Sequence, residues 1–137
     1  LAKSDYLEAA LLNHVLGATT FTAPATVYVA LYTALPTDAA ASGTEVSGGS
    51  YARVAVTNNA TNWPAATGTS PTTKSNGTAI TFAAPTANWG TIVGFALKDA
   101  STAGNTLYWG ALTASKVVNN GDAAPSFGVG SLQITED

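Results

Sequence analysis

Cysteine and methionine are both absent from the 137 residues, histidine occurs once, and only 9% of the side chains are charged. Without cysteine there is no disulfide, no thiolate metal ligand and no thiol nucleophile, so stability must come from packing and assembly. Without methionine, the start residue is expected to lie before Leu1. Soluble domains usually carry roughly 25% charged residues, so this surface is expected to be unusually neutral. The five cations, Lys3, Arg53, Lys74, Lys98 and Lys116, are scattered and outnumbered by eight carboxylates, for a net charge of −3. Binding to nucleic acid or to an anionic membrane depends on clustered cations, and neither partner is expected here. The chain has no apolar run of about 18 residues or more and no charged segment leading into a short apolar one. Neither a bilayer span nor an export signal is expected.

What is present is hydrophobic: 46% of the residues, with a mean hydropathy of +0.18. A chain of this kind folds instead of staying disordered, and its length suits one core, a single domain over residues 1–137. Alanine, threonine, serine, asparagine and glycine take the place of charge. Short side chains lose little rotamer entropy when a partner covers them, which points to an assembly subunit.

One helix is expected, over residues 4–16. Ser4 is its cap, Asp5 and Glu8 suit its positive end, and Gly17 offers a stop. Leu7, Leu11, Leu12, Val15 and Leu16 form a stripe that must be buried, on this chain's own sheet or on a neighbour. After Phe21 the period falls to two. Strands are expected at 27–33, 51–57, 78–83, 91–99, 106–113, 116–118 and 126–135, separated by Gly, Pro, Asn and Asp turns such as Asn76-Gly77 and the hairpin loop 100–105. Short strands with no helical pattern between them indicate an all-β fold, an antiparallel β-sandwich of jelly-roll type with one short N-terminal α-helix. Two long irregular stretches, 34–50 and 58–76, read as contact arms. The second carries Trp63, which either anchors an interface or folds back over the core, the commoner fate of an aromatic ring. The candidate interface residues are Leu7, Leu11, Val15, Trp63 and Tyr51.

Little here suggests chemistry. His14 has no second histidine, cysteine or carboxylate cluster beside it and reads as a surface or capping residue. Asp38, Glu45, Asp99 and Asp122 fall in or beside turns, where carboxylates bond backbone N–H groups. Gly48-Gly49 precedes a strand and so lacks the helix terminus of a phosphate loop, and Phe127-Gly128-Val129-Gly130 reads as a bulged strand. Asn59-Ala60-Thr61 and Asn76-Gly77-Thr78 match a glycosylation acceptor, a pattern chance supplies in a chain this rich in Asn and Thr. No spacing matches an EF-hand. The expectation is no catalytic residue, no cofactor and no metal: not an enzyme. A surface-acting hydrolase stands as a minor alternative, because two carboxylates facing each other in space are not visible in sequence.

Particular strings carry a resemblance. Ser4-Asp5-Tyr6-Leu7-Glu8-Ala9 with Leu12-Asn13-His14-Val15-Leu16 is similar to the opening of small tailed-bacteriophage virion proteins described as tail-fibre or structural proteins. So are Val27 to Thr33 with Pro36-Thr37-Asp38, and Gly43-Thr44-Glu45-Val46-Ser47-Gly48-Gly49 with Tyr51-Ala52-Arg53. Asn88-Trp89-Gly90, Leu107-Tyr108-Trp109-Gly110-Ala111-Leu112 and Val118-Asn119-Asn120-Gly121-Asp122 complete the series. The resemblance implies a virion structural protein, assembled in the host cytoplasm. The expected role is a capsid decoration or cement protein that bridges capsomers, with the major capsid protein or other virion proteins as partners and a homo-oligomer, a trimer, as its state. The alternative is a tail-fibre, tail-tip or baseplate module contacting the host surface, where aromatic groups near Trp63 and Tyr51 stack on sugar rings.

Overall fold

The computed structural model describes residues 1–39 and 42–137. Ser4 starts the helix as its sequence position demands. Its side-chain oxygen accepts the Leu7 N–H at 3.2 Å, and its hydroxyl donates to the carbonyl of Thr106, so one buried group is both cap and tertiary tie. Helix α1 (Asp5–Val15) has Asp5 and Glu8 in its first turn and His14 in its last, the placement the helix dipole favours. Gly17, with φ +126°, then turns the chain through a conformation side chains rarely adopt.

The strands are β1 (Ala2–Lys3), β2 (Thr26–Ala34), β3 (Thr44–Glu45), β4 (Val54–Thr57), β5 (Thr72–Ser75), β6 (Ile80–Thr81), β7 (Gly90–Lys98), β8 (Thr106–Val118), β9 (Ser126–Phe127) and β10 (Gln133–Glu136). A six-stranded sheet runs β1-β8-β7-β2-β3, with β4 also pairing β2, and every pairing is antiparallel. Two further antiparallel ribbons, β5–β10 and β6–β9, stand apart from it. The period of two sorts the faces. Val29 lies opposite Leu97 and Leu31 opposite Phe95, and this face is buried with Ile80, Phe82, Trp63, Leu132 and Ile134 from the ribbons and their connections. The other face carries Ala30 opposite Ala96 and Tyr32 opposite Gly94, with Trp109 packed over them. Small residues let the chain leaving β2 lie flat there: a Cβ on Gly94 would fall 2.3 Å from Leu35 Cδ2. The Asp38 carboxylate accepts the Trp109 indole N–H at 2.9 Å and its carbonyl accepts the Asp5 N–H, tying that segment to β8 and to α1.

The structure is thus mostly antiparallel β with one N-terminal helix, as the sequence indicates. The finer expectation of a jelly roll finds no support in this strand order. Residues 106–113 and 116–118 are one strand, in which two steps of β7 (Ile92 to Gly94) oppose five of β8 (Lys116 to Ala111), so the apparent break is a bulge. Residues 126–135 are instead two strands, parted by a turn at Gly128–Ser131 in which Gly130 has φ +77°. Both stretches read as arms contain strands, β3 and β5. The second is anchored by Trp63, by the Asn59 side chain accepting the Thr61 and Asn62 N–H groups, and by the Asn62 carbonyl accepting the Gly77 N–H.

Asn76, expected only to turn the chain, is 1% exposed. Its Nδ2 donates to the carbonyls of Thr78 and Gly128, both at 2.9 Å, and its Oδ1 accepts the Leu132 N–H at 3.0 Å. Next to it, Gly77 is required by space: a Cβ there would lie 2.2 Å from the Thr61 carbonyl oxygen and 2.8 Å from the Pro64 ring. Gly77→Ala should therefore cost about 1–3 kcal/mol in denaturant unfolding, while Gly128→Ala, where the nearest atom is 3.9 Å away, should stay within about 0.5 kcal/mol of wild type. Equal losses in the two variants would contradict the close packing at Gly77.

Candidate functional site

The carboxylates are dispersed. Asp99 accepts the Asn105 backbone and side-chain N–H groups, and Asp122 accepts the Asn119 N–H, both as turn chemistry requires. Asp38 instead takes the Trp109 indole, and Glu45 takes a guanidinium. His14 serves the helix end, its Nδ1 accepting the Phe21 N–H at 3.2 Å. Among the described residues no group of three or more His, Asp or Glu side chains is placed to hold a metal ion.

The densest polar cluster surrounds Arg53. Its Nε and Nη2 donate to the two oxygens of Glu45, each at 2.8 Å, and its Nη1 donates to the carbonyls of Ala100 and Ala103 at 2.7 and 2.9 Å. One buried guanidinium thereby joins β3 to the β7–β8 hairpin loop, using the bidentate fork that lysine lacks. The Tyr51 hydroxyl donates to Glu45 and accepts the Leu31 N–H, while its ring stacks on Phe82 at 6.2 Å and meets Trp89 edge-on at 5.4 Å. These contacts pack the Tyr51 ring against the core, with the residue half-buried. Burial raises the Glu45 carboxyl, but hydrogen bonds from Arg53 and Tyr51 and the Arg53 charge outweigh it and hold the group below its ordinary value. Lys98, buried with its Nζ donating to Thr106 Oγ1, is lowered by burial and by Arg53, against the pull of Glu45 and Asp99.

The apolar features gather around α1. Leu7 is buried, Leu11 is half-buried, and Leu12, Val15 and Leu16 are 62%, 73% and 74% exposed. Of the leucine stripe, this chain therefore covers only the first part. On one flank of α1 lies an apolar hole of about 320 Å³, walled by Leu7, Leu11, Phe21, Trp63, Tyr108 and Ile134. Adjoining it, and sharing Leu11, lies a groove of about 390 Å³ between Lys3, Glu8, Leu11, Leu12, Val15 and Leu16. Trp63 is folded back and buried, and its indole N–H has no partner among the described residues. At the rim of the hole, Tyr108 donates to Glu136, which also pairs with Lys3, and the Tyr108 phenol is pushed up to about 12 by burial and by Glu136. The structure thus brings Leu7, Leu11 and Trp63 together, sets Val15 in the adjoining groove, and leaves Tyr51 in the Arg53 cluster.

A sequence profile of the podophage GP4 fiber I protein gp80 family matches residues 2–135. The chain belongs to that family. It is a phage virion structural protein of fibre type, in agreement with the resemblance seen along its sequence. No curated protein gives a significant match. Sequence reasoning passed over Arg53, although the only arginine in a chain with so few charges, eight residues after a glutamate, marks a bidentate pair.

The sign of the Glu45 perturbation gives a pH test. Its carboxyl lies lower folded than unfolded, so its contribution is complete above the ordinary carboxylate range and is lost as pH falls through the depressed folded value. Glu45→Gln should be about 1–3 kcal/mol less stable than wild type at neutral pH, and the gap should close on acidification. A gap that persists at low pH would assign the loss to packing instead.

Proposed function

We propose that this chain is a module of the tail apparatus, in a fibre, tail tip or baseplate, and that it acts by contact instead of catalysis. The observation that carries the reading is the match of a fibre-protein family over nearly the whole chain. A neutral surface of short side chains fits capsid decoration equally well, but the family description speaks of a fibre and favours the tail. Its partners are copies of itself and neighbouring virion proteins. In this reading the two ribbons and the main sheet make an open, irregular β-sandwich whose firmness serves contact: preformed faces lose little entropy on docking.

Gold-labelled antibody against the chain on intact particles tests the location. Label confined to the tail region, at no more than a few tens of copies per particle, is the expected result. Label spread over the shell at hundreds of copies would overturn the tail reading in favour of decoration.

A further inference from the structure

We propose that Asn120 is a site of spontaneous covalent modification, at which its side chain is converted to aspartate and isoaspartate with water as the co-reactant. The inference goes beyond the tail reading and does not depend on where the chain sits in the particle. Two asparagines precede a glycine in this chain, Asn76 and Asn120. A glycine matters there because, with no Cβ, it leaves its backbone nitrogen open to the side-chain carbonyl carbon of the residue before it. In the first step the Gly121 nitrogen loses its proton and bonds to Asn120 Cγ, the bond from Cγ to the amide nitrogen breaks, and that nitrogen leaves as ammonia. Water then opens the cyclic imide at either carbonyl. One opening gives aspartate, and the other gives isoaspartate, in which the backbone runs through the former side chain.

The fold treats the two pairs differently. Asn76 is 1% exposed, and its carboxamide is held by hydrogen bonds to Thr78, Gly128 and Leu132. The Gly77 N–H donates to the Asn62 carbonyl at 2.7 Å, and the space beside Gly77 is filled by the Thr61 carbonyl and the Pro64 ring. Asn120 lies in a turn whose residues 119–123 are all exposed, and its carboxamide makes no hydrogen bond among the described residues. Gly121 has φ +84°, and a Cβ built on it would meet nothing within 4 Å, so the side chain of Asn120 has room to swing towards the Gly121 nitrogen. One contact opposes the attack: the Gly121 N–H donates to the Pro85 carbonyl at 3.1 Å. That bond sits in an exposed turn and is broken by local opening, whereas Asn76 is released only with the segments it ties together. Three hydrogen bonds at a net of about fivefold each put Asn76 about a hundredfold behind Asn120.

The product changes the turn. Aspartate at this place adds a negative charge two residues from Asp122, whose carboxylate accepts the Asn119 N–H. Isoaspartate lengthens the main chain by one methylene and pulls apart the two bonds that tie the turn to the segment before Trp89, from the Asn120 N–H to Asn88 Oδ1 at 2.8 Å and from the Gly121 N–H to Pro85.

Incubation of the full chain at mildly alkaline pH, folded and in guanidinium chloride, tests this, with peptide mass mapping and enzymatic methylation of isoaspartyl groups as the readouts. In the folded protein the peptide holding Asn120 should gain the mass difference between an acid and an amide, with isoaspartate present, about a hundredfold faster than the peptide holding Asn76. In denaturant the two pairs should convert at similar rates. Asn120→Gln should remove the conversion from that peptide and keep the wild-type melting curve. A folded-state Asn120 that stays an amide over the time in which the unfolded chain converts would overturn the inference, and so would an Asn76 that converts as fast as Asn120 in the folded protein.

Discussion

The side-chain amide of Asn76 ties together three segments: the end of β5, the approach to β6, and the turn that leads into β10. An amide buried this deeply is tolerated only when its donors and acceptor are satisfied, and here both donors and the acceptor meet backbone groups. Those same contacts satisfy the carbonyl of Thr78 and the N–H of Leu132, which no ladder reaches. The constraint matters because the layer over the core is barely a sheet. Its ribbons contain four and two residue pairs, and an isolated two-stranded ribbon is marginal in water. The cover stands because Asn76 fixes its course and because Ile80, Phe82, Leu132, Ile134 and Trp63 press its inner side against β2 and β7.

Several of the few charges tie the fold together. Arg53 and Glu45 join β3 to the β7–β8 loop, Lys3 and Glu136 join β1 to β10, and Lys98 is spent on Thr106. Much of what remains outward is short and polar, with Leu12, Val15 and Leu16 exposed at the end of α1. Such a surface pays little desolvation on being covered. Docking against a wall is productive when the wall is already in place. The hole beside α1 is built partly from cover residues, Trp63 and Ile134, so its shape depends on the same layer that Asn76 secures.

Local signals in the sequence were legible where they were strong. Ser4, the early carboxylates and Gly17 bound the helix, and alternation at Val27 to Leu31 and Val93 to Leu97 marks the two central strands. β5 was hidden because Thr72-Thr73-Lys74-Ser75 shows no apolar alternation and gains its place only by pairing with β10. The role of Asn76 was hidden for a related reason: an Asn-Gly pair signals a turn, and whether the amide faces solvent or core depends on residues more than fifty positions away. The helix stripe was visible as a stripe, but its division into a buried Leu7 and a bare Val15 goes with the docking of the helix start through Ser4 on Thr106 and Leu107, which spacing does not encode.

Native-state hydrogen exchange probes the coupling of cover and sheet directly. The Leu132 amide, donated to Asn76 Oδ1, should open only with global unfolding, at the same free energy as the Ala96 amide in the centre of the main sheet. A Leu132 amide that exchanges through local opening, well below the Ala96 value, would contradict the claim that cover and sheet form one rigid unit.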